Sequence, residues 1–185
     1  MRTIFDAGSQ RWKIWFVVLI CLLCGGGLLF PGGYLLLNYG LHPDDGGVLK
    51  PLMSRILMGA VFVVPGMAII AAILLYLRCY VMRIEADDVE EGAYRIALAA
   101  PGQALTIGHD DIARAGYNEG ISHAGGISVN APWYSLRLCG RRFPLIIDLH
   151  GDFLDRRAVD RLIEGKMPSA VVPPRRKPQG KKRLR

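Results

Sequence analysis

The stretch ILMGAVFVVPGMAIIAAILLYLRCYVMRIEA, residues 56–86, changes solvent partway along its length. From Ile56 to Leu77 no side chain is charged. A helix of that length covers the roughly 20 residues needed to cross a ~30 Å hydrocarbon layer. It offers no polar face to water, which argues against a buried helix of a soluble protein. From Cys79 the pattern becomes CYVMRIEA, alternating apolar and polar, which is the period of a half-buried strand. The chain thus passes within a few residues from a membrane helix into a sheet.

Upstream lies a second uncharged window, Trp15 to Leu37. The basic flank MRTIFDAGSQRWK before it is compatible with a signal peptide. The apolar run, however, is too long for that, and no A-x-A-like cleavage site ends it. The expected organisation is a cytoplasmic flank over 1–14, transmembrane helix 1 over 15–37, an external loop over 38–55 and transmembrane helix 2 over 56–77. Arg2, Arg11 and Lys13 precede the first span, while Arg78 and Arg83 follow the second. Basic residues near span ends resist translocation, so both termini are expected in the cytoplasm of a bacterial inner membrane.

Small residues punctuate both spans. The seven-residue offset from Gly25 and Gly26 to Gly32 and Gly33 puts all four near one face, and the second span carries Gly59, Gly66, Ala68 and Ala72. Such residues let backbones approach closely in lipid, which predicts a packed antiparallel hairpin or a homo-oligomer. Pro31 and Pro65 each remove a backbone donor and predict kinks. Interrupted helices also build transporter sites, but neither span contains the ionisable residue that marks a transport pathway. An accessory subunit of a transporter or channel remains an alternative role.

Downstream, residues 79–166 read as a soluble module. Seven candidate strands follow in order: CYVMRIEA, AYRIALAA, QALTIG, DIARAGYN, GISVN, WYSLRLCG and RFPLIIDL, separated by turn chemistry such as Pro101-Gly102 and NEG. In GDFLDRRAVDRLIEGK, Leu154, Ala158, Val159, Leu162 and Ile163 recur at helical spacing. Asp152 is the expected N-cap, Asp155 stands three residues on, and Gly165 is placed to end the helix. The fold class expected is a membrane α-helical hairpin plus a small α+β or all-β domain.

Seven strands and one C-terminal helix after two membrane spans resemble the bacterial PH-like (pleckstrin-homology-like) domain proteins, the YcxB-like group among them. The most family-like stretch is LTIGHDDIARAGY, residues 105–117, where Asp111-Ile112 matches a Trp-x-Asp-Ile-like turn and Gly108 or His109 replaces the aromatic residue. The resemblance implies a seven-stranded sheet or barrel closed by one helix. It also bears on ligands. Phosphoinositide-binding members carry basic residues in the loop between their first two strands, whereas here ADDVEEG places Asp87, Asp88, Glu90 and Glu91 there. Four carboxylates repel an inositol phosphate, so phosphoinositide binding is disfavoured.

Two chemistries compete at the histidines. His109, Asp110 and Asp111, with Asp148 and His150 and a possible contribution from His123, contain the side chains of a metal-dependent hydrolase. No paired ligand spacing supports that set. The preferred account makes Gly108 to Asp111 a turn in which an Asp accepts backbone donors. Cys21, Cys24, Cys79 and Cys139 form no paired ligand set either and read as small hydrophobes. No cofactor is implied. In WYSLRLC, Tyr134, Leu136 and Leu138 share one face and Trp133 the other, so one of the two aromatics is expected in the core. Arg137, Arg141 and Arg142 cluster at a hairpin tip.

The net charge of +7 is unevenly distributed. Residues 1–81 hold six basic and three acidic groups, 82–170 ten and thirteen, and 171–185 seven and none. The surplus is the tail, expected to be disordered over 167–185. There Arg175, Arg176, Lys177, Lys181, Lys182, Arg183 and Arg185 suit an anionic leaflet and carry no specificity for nucleic acid. The function expected is a non-enzymatic two-pass membrane protein. Its partners would be the lipid bilayer and an unidentified protein, or further copies of itself.

Overall fold

A computed structural model describes residues 1–42, 46–87, 92–124, 127–164 and 166. Two long helices, α1 (Gln10–Asn38) and α2 (Leu52–Cys79), form an antiparallel hairpin. Both are long and apolar enough to cross a membrane, and only 17% of each apolar window is buried. Phe30, Leu23, Leu57 and Val61 among others point outward, an apolar surface that lipid would cover. Both helices continue through their internal prolines, Pro31 and Pro65.

The hairpin seam is built from four glycines. A Cβ on Gly66 would stand 2.8 Å from the carbonyl oxygen of Gly25, and one on Gly59 3.0 Å from that of Gly32. Gly25 opposes Gly66 and Gly32 opposes Gly59, so the seven-residue spacing of one helix matches that of the other in reverse. The expected packing set is accordingly reduced. Gly26 and Gly33 meet no atom within 4 Å, and Ala68 and Ala72 are exposed. At about 100° per residue, one member of each adjacent glycine pair turns away from the seam.

The N-terminal flank departs most from expectation. Arg2–Asp6 is a strand, β1, that joins the sheet formed after the hairpin. It lies between β2 (Val81–Ala86) and the two-residue β10 (Asp152–Phe153). With β3 (Ala93–Leu98) and β4 (Ala104–Gly108) they form an antiparallel five-stranded sheet in the order β10-β1-β2-β3-β4. A second sheet orders β5 (Ile112–Asn118), β8 (Trp133–Leu138) and β9 (Leu145–Asp148) as β5-β8-β9, while β6 (Ile121–Ala124) pairs with β7 (Ile127–Asn130). Among the described residues, ten strands in three sheets thus replace the expected seven, with a bridge between Tyr80 and Ile146 linking the two larger sheets.

Bulges explain why β1 escaped pattern reading. The register of β1 against β2 shifts between Thr3 and Phe5, so neighbouring Ile4 and Phe5 are both fully buried. A similar shift between Val81 and Arg83 buries Val81 and Ile84, three residues apart, and another in β5 buries Ile112 and Ala115. An extra residue in one strand inverts the side-chain phase beyond it, so strict alternation fails at each of these places.

The module core gathers Ile4, Phe5, Ile84, Ile96, Tyr134, Leu136, Leu145 and Ile147 from both larger sheets. Helix α3 (Arg156–Ile163) covers it with Ala158, Val159, Leu162 and Ile163. The helix begins later than its sequence suggested. Asp155, not Asp152, is the N-cap and accepts the Ala158 N–H at 3.0 Å, while Asp152 belongs to β10. Leu154 precedes the helix and is exposed, so it is not part of the apolar stripe. Gly165 lies outside the described residues.

Candidate functional site

The junction between hairpin and module concentrates the polar chemistry. β1 turns into α1 through Gly8, whose φ of +52° suits glycine and whose missing Cβ leaves room for the Asp152 carboxylate. Asp6 organises this turn. Its Oδ1 accepts the Gly8 N–H at 2.7 Å, and its Oδ2 accepts Arg11 Nη2 at 2.6 Å and Arg83 Nε at 3.1 Å. One half-buried carboxylate therefore ties the start of α1 to the strand that leaves α2, through charge-assisted hydrogen bonds.

Apolar packing strengthens the same joint. Ala7, just before α1, and Ile14 and Val18 of α1 meet Ile73 and Leu77 of α2 and Tyr80 just after it, and Ala99 and Ala100 after β3 complete the cluster. The Ala7 N–H continues the ladder to the Met82 carbonyl at 2.8 Å. The hairpin and the five-stranded sheet consequently share a core at the base of the helices.

Beside this joint lies a cavity of about 500 Å³. Arg11 and Trp15 line it from α1, Met82, Arg83 and Glu85 from β2, and Arg95, Ala97 and Ala104 from β3 and β4. Register dictates the grouping. Glu85 stands opposite Arg95 and Arg83 opposite Ala97, so these side chains share the sheet face away from the module core. Three guanidinium groups face two carboxylates, those of Asp6 and Glu85, which leaves positive charge over. Arg83 Nη1 lies 3.5 Å from Glu85, and Arg11 Nε is buried without a hydrogen-bond partner among the described residues.

A second polar group sits where β2 begins. The Tyr80 hydroxyl donates to Asp148 Oδ2 at 3.1 Å. Asp148 Oδ1 accepts the backbone N–H of His150 at 2.8 Å and lies 3.2 Å from its ring Nδ1. Burial, followed by the charge of Asp148, pushes the Tyr80 hydroxyl well above its ordinary value. It therefore stays protonated and donates, pinning the helix exit to β9.

The sequence-selected residues are distributed as follows. Asp111 Oδ2 accepts the Gly108 N–H at 2.7 Å across a single 3-10 turn over His109–Asp111, so this stretch is a polar corner between β4 and β5. His109 is half-buried there, and Asp110 and Asp111 are exposed. Asp148 and His150 come together with each other, but no group of three His, Cys, Asp or Glu side chains positioned for a metal occurs among the described residues. Tyr134 is the core aromatic, 1% exposed, and Trp133 is half-buried on the other face. At the hairpin tip Arg141 donates to the Arg78 carbonyl at the end of α2, and Arg142 lies over the Phe143 ring. Asp88, Glu90 and Glu91, the tail from Arg175 to Arg185 and the side chain of His123 lie outside the described residues.

Sequence inspection missed the set formed by Asp6, Arg11, Arg83 and Arg95. Its available signal was DAGS at residues 6–9, turn chemistry between the apolar pair Ile4-Phe5 and the first helix. No family model matches the chain, and neither a curated protein nor a solved structure matches it.

Proposed function

We propose that this chain is a non-enzymatic, two-pass protein of the bacterial inner membrane. Both termini are cytoplasmic, and a PH-like module held at the bilayer surface serves as a protein-binding scaffold within a larger assembly. The observation that carries this reading is the pairing of β1, before α1, with β2, after α2. A module attached by one linker would tumble freely. Here two strands, the Asp6 ion pairs and a shared apolar cluster fasten it at both helix ends, so it presents the same faces at a constant height above lipid. The antiparallel sheets closed by a single C-terminal helix support a PH-like architecture despite the larger number of strands, and the basic flanks of both spans support the cytoplasmic placement.

Purification of the full chain in mild detergent tests the proposal, with chemical cross-linking in native membranes beforehand. A stoichiometric partner or a homo-oligomer is expected in both preparations. A monomer that cross-links to nothing in the membrane overturns the scaffold role. Extraction of the chain from membranes by alkaline carbonate overturns the membrane placement.

A further inference from the structure

We infer that the cavity between α1 and the outer face of the five-stranded sheet binds the phosphate of an anionic phospholipid. This rests on the membrane placement of α1 and α2, but not on the partner-binding role of the module.

Three features point to this ligand. The first is position. Trp15, on the cavity wall, opens the uncharged segment of α1, and its exposed ring is of the kind that settles at the level of lipid headgroups. Arg11, one turn earlier on the helix, faces the same space. The cavity therefore straddles the boundary where phospholipid phosphates lie.

The second is an excess of donors. Asp6 and Glu85 engage parts of Arg11 and Arg83 and hold both guanidinium groups in place. Arg11 Nε remains buried and, among the described residues, unpartnered, which costs free energy unless something accepts from it. Arg95 is exposed and, among the described residues, its side chain has no hydrogen bond or ion pair. A phosphate oxygen fits both needs, because guanidinium forks match phosphate geometry.

The third is size and chemistry. About 500 Å³ accommodates a glycerophosphate headgroup. Met82, Ala97 and Ala104 supply apolar wall beside the charge, suited to the glycerol end of acyl chains. The β2 bulge brings Met82 to this face next to Arg83, which regular alternation would forbid.

The test uses the full chain in mild detergent and follows its thermal unfolding with three probes. These are short-chain phosphatidylglycerol, short-chain phosphatidylcholine and inorganic phosphate. Phosphatidylglycerol is expected to raise the midpoint in a saturable manner, phosphatidylcholine to do so much less, and inorganic phosphate not at all at matched concentration. Arg95→Ala should weaken the phosphatidylglycerol effect about tenfold, as expected for losing one charge-assisted contact. Ala104→Trp, which fills the cavity and leaves every charge in place, should weaken it as well. Arg137→Ala, an exposed arginine on β8 away from the cavity, should leave it unchanged. All three variants retain the basic tail, so a loss confined to the first two belongs to the cavity.

Equal responses to both lipids, or an unchanged response in Arg95→Ala and Ala104→Trp, would overturn the site. An equal shift with inorganic phosphate would overturn the lipid assignment. Carbonate extraction of the membranes from which the chain is purified reports separately on membrane placement, so the two failures can be told apart.

Discussion

Gly66→Ala probes the hairpin seam at the glycine whose added Cβ would stand nearest a backbone atom of the facing helix. The added Cβ would lie 2.8 Å from the Gly25 carbonyl oxygen, 3.1 Å from Leu29 Cδ2 and 3.2 Å from Leu28 Cβ. The first contact is backbone, so a side-chain rotation cannot relieve it and the helices must separate. Overpacking of this kind costs about 1–3 kcal/mol, while replacing an interior helical glycine by alanine returns about 1 kcal/mol. The expected net effect is a loss of about 0–2 kcal/mol. At Gly26 a Cβ meets nothing within 4 Å, so Gly26→Ala retains only the favourable propensity term of about 1 kcal/mol. The two variants should therefore differ by about 1–3 kcal/mol, with Gly66→Ala the weaker. Reversible unfolding of the full chain from mild detergent into denaturing detergent measures that difference directly. Equal stabilities, or a Gly66→Ala protein more stable than Gly26→Ala, would refute the seam.

Three further outcomes follow from the junction. In a background without the native cysteines, Thr3→Cys with Glu85→Cys should form a disulfide in native membranes, since these residues are direct partners in β1 and β2. Thr3→Cys with Thr106→Cys, separated by two further strands, should not; failure of the first pair would dissolve the β1 insertion. Asp6→Asn removes the common acceptor of Arg11 and Arg83 and should cost about 1–2 kcal/mol, a charged-bond value reduced for partial exposure, read from denaturant midpoints. Alkaline titration tests Tyr80. Its pKa is raised on folding above 10.0, so its contribution is complete below that pH and declines as pH rises through and beyond it, by up to about 1.4 kcal/mol per pH unit. Tyr80→Phe should lower stability at neutral pH by about 1 kcal/mol for the lost hydrogen bond while flattening the alkaline decline. An unchanged slope would exclude a buried, protonated Tyr80.

The boundary between the long apolar helix and the strand-rich module was legible from residues 56–86, because solvent preference is a property of each side chain and needs no partner. Turn residues delimited most strands for a similar reason, and the acidic turn at Gly108 to Asp111 was recognisable because its hydrogen bond spans only three residues. The C-terminal helix was recognised from its stripe, yet its N-cap was misplaced from Asp155 to Asp152. Both aspartates precede apolar residues at helical spacing, and only pairing with β1, Asp152 opposite Asp6 and Phe153 opposite Phe5, claims the earlier one for a strand.

Tertiary structure alone decided the rest. RTIFD has no alternation to display, because its bulge buries Ile4 and Phe5 together, and it becomes a strand through the exposed edge of β2. Which glycine of each adjacent pair enters the seam depends on the rotation of α1 against α2. The cavity depends on still more, for Arg11, Arg83 and Arg95 converge only after one helix end and two strands have docked. Solvent preference is written residue by residue in the chain. Proximity between residues separated by an entire helical hairpin exists only once the hairpin has closed and its two ends have paired.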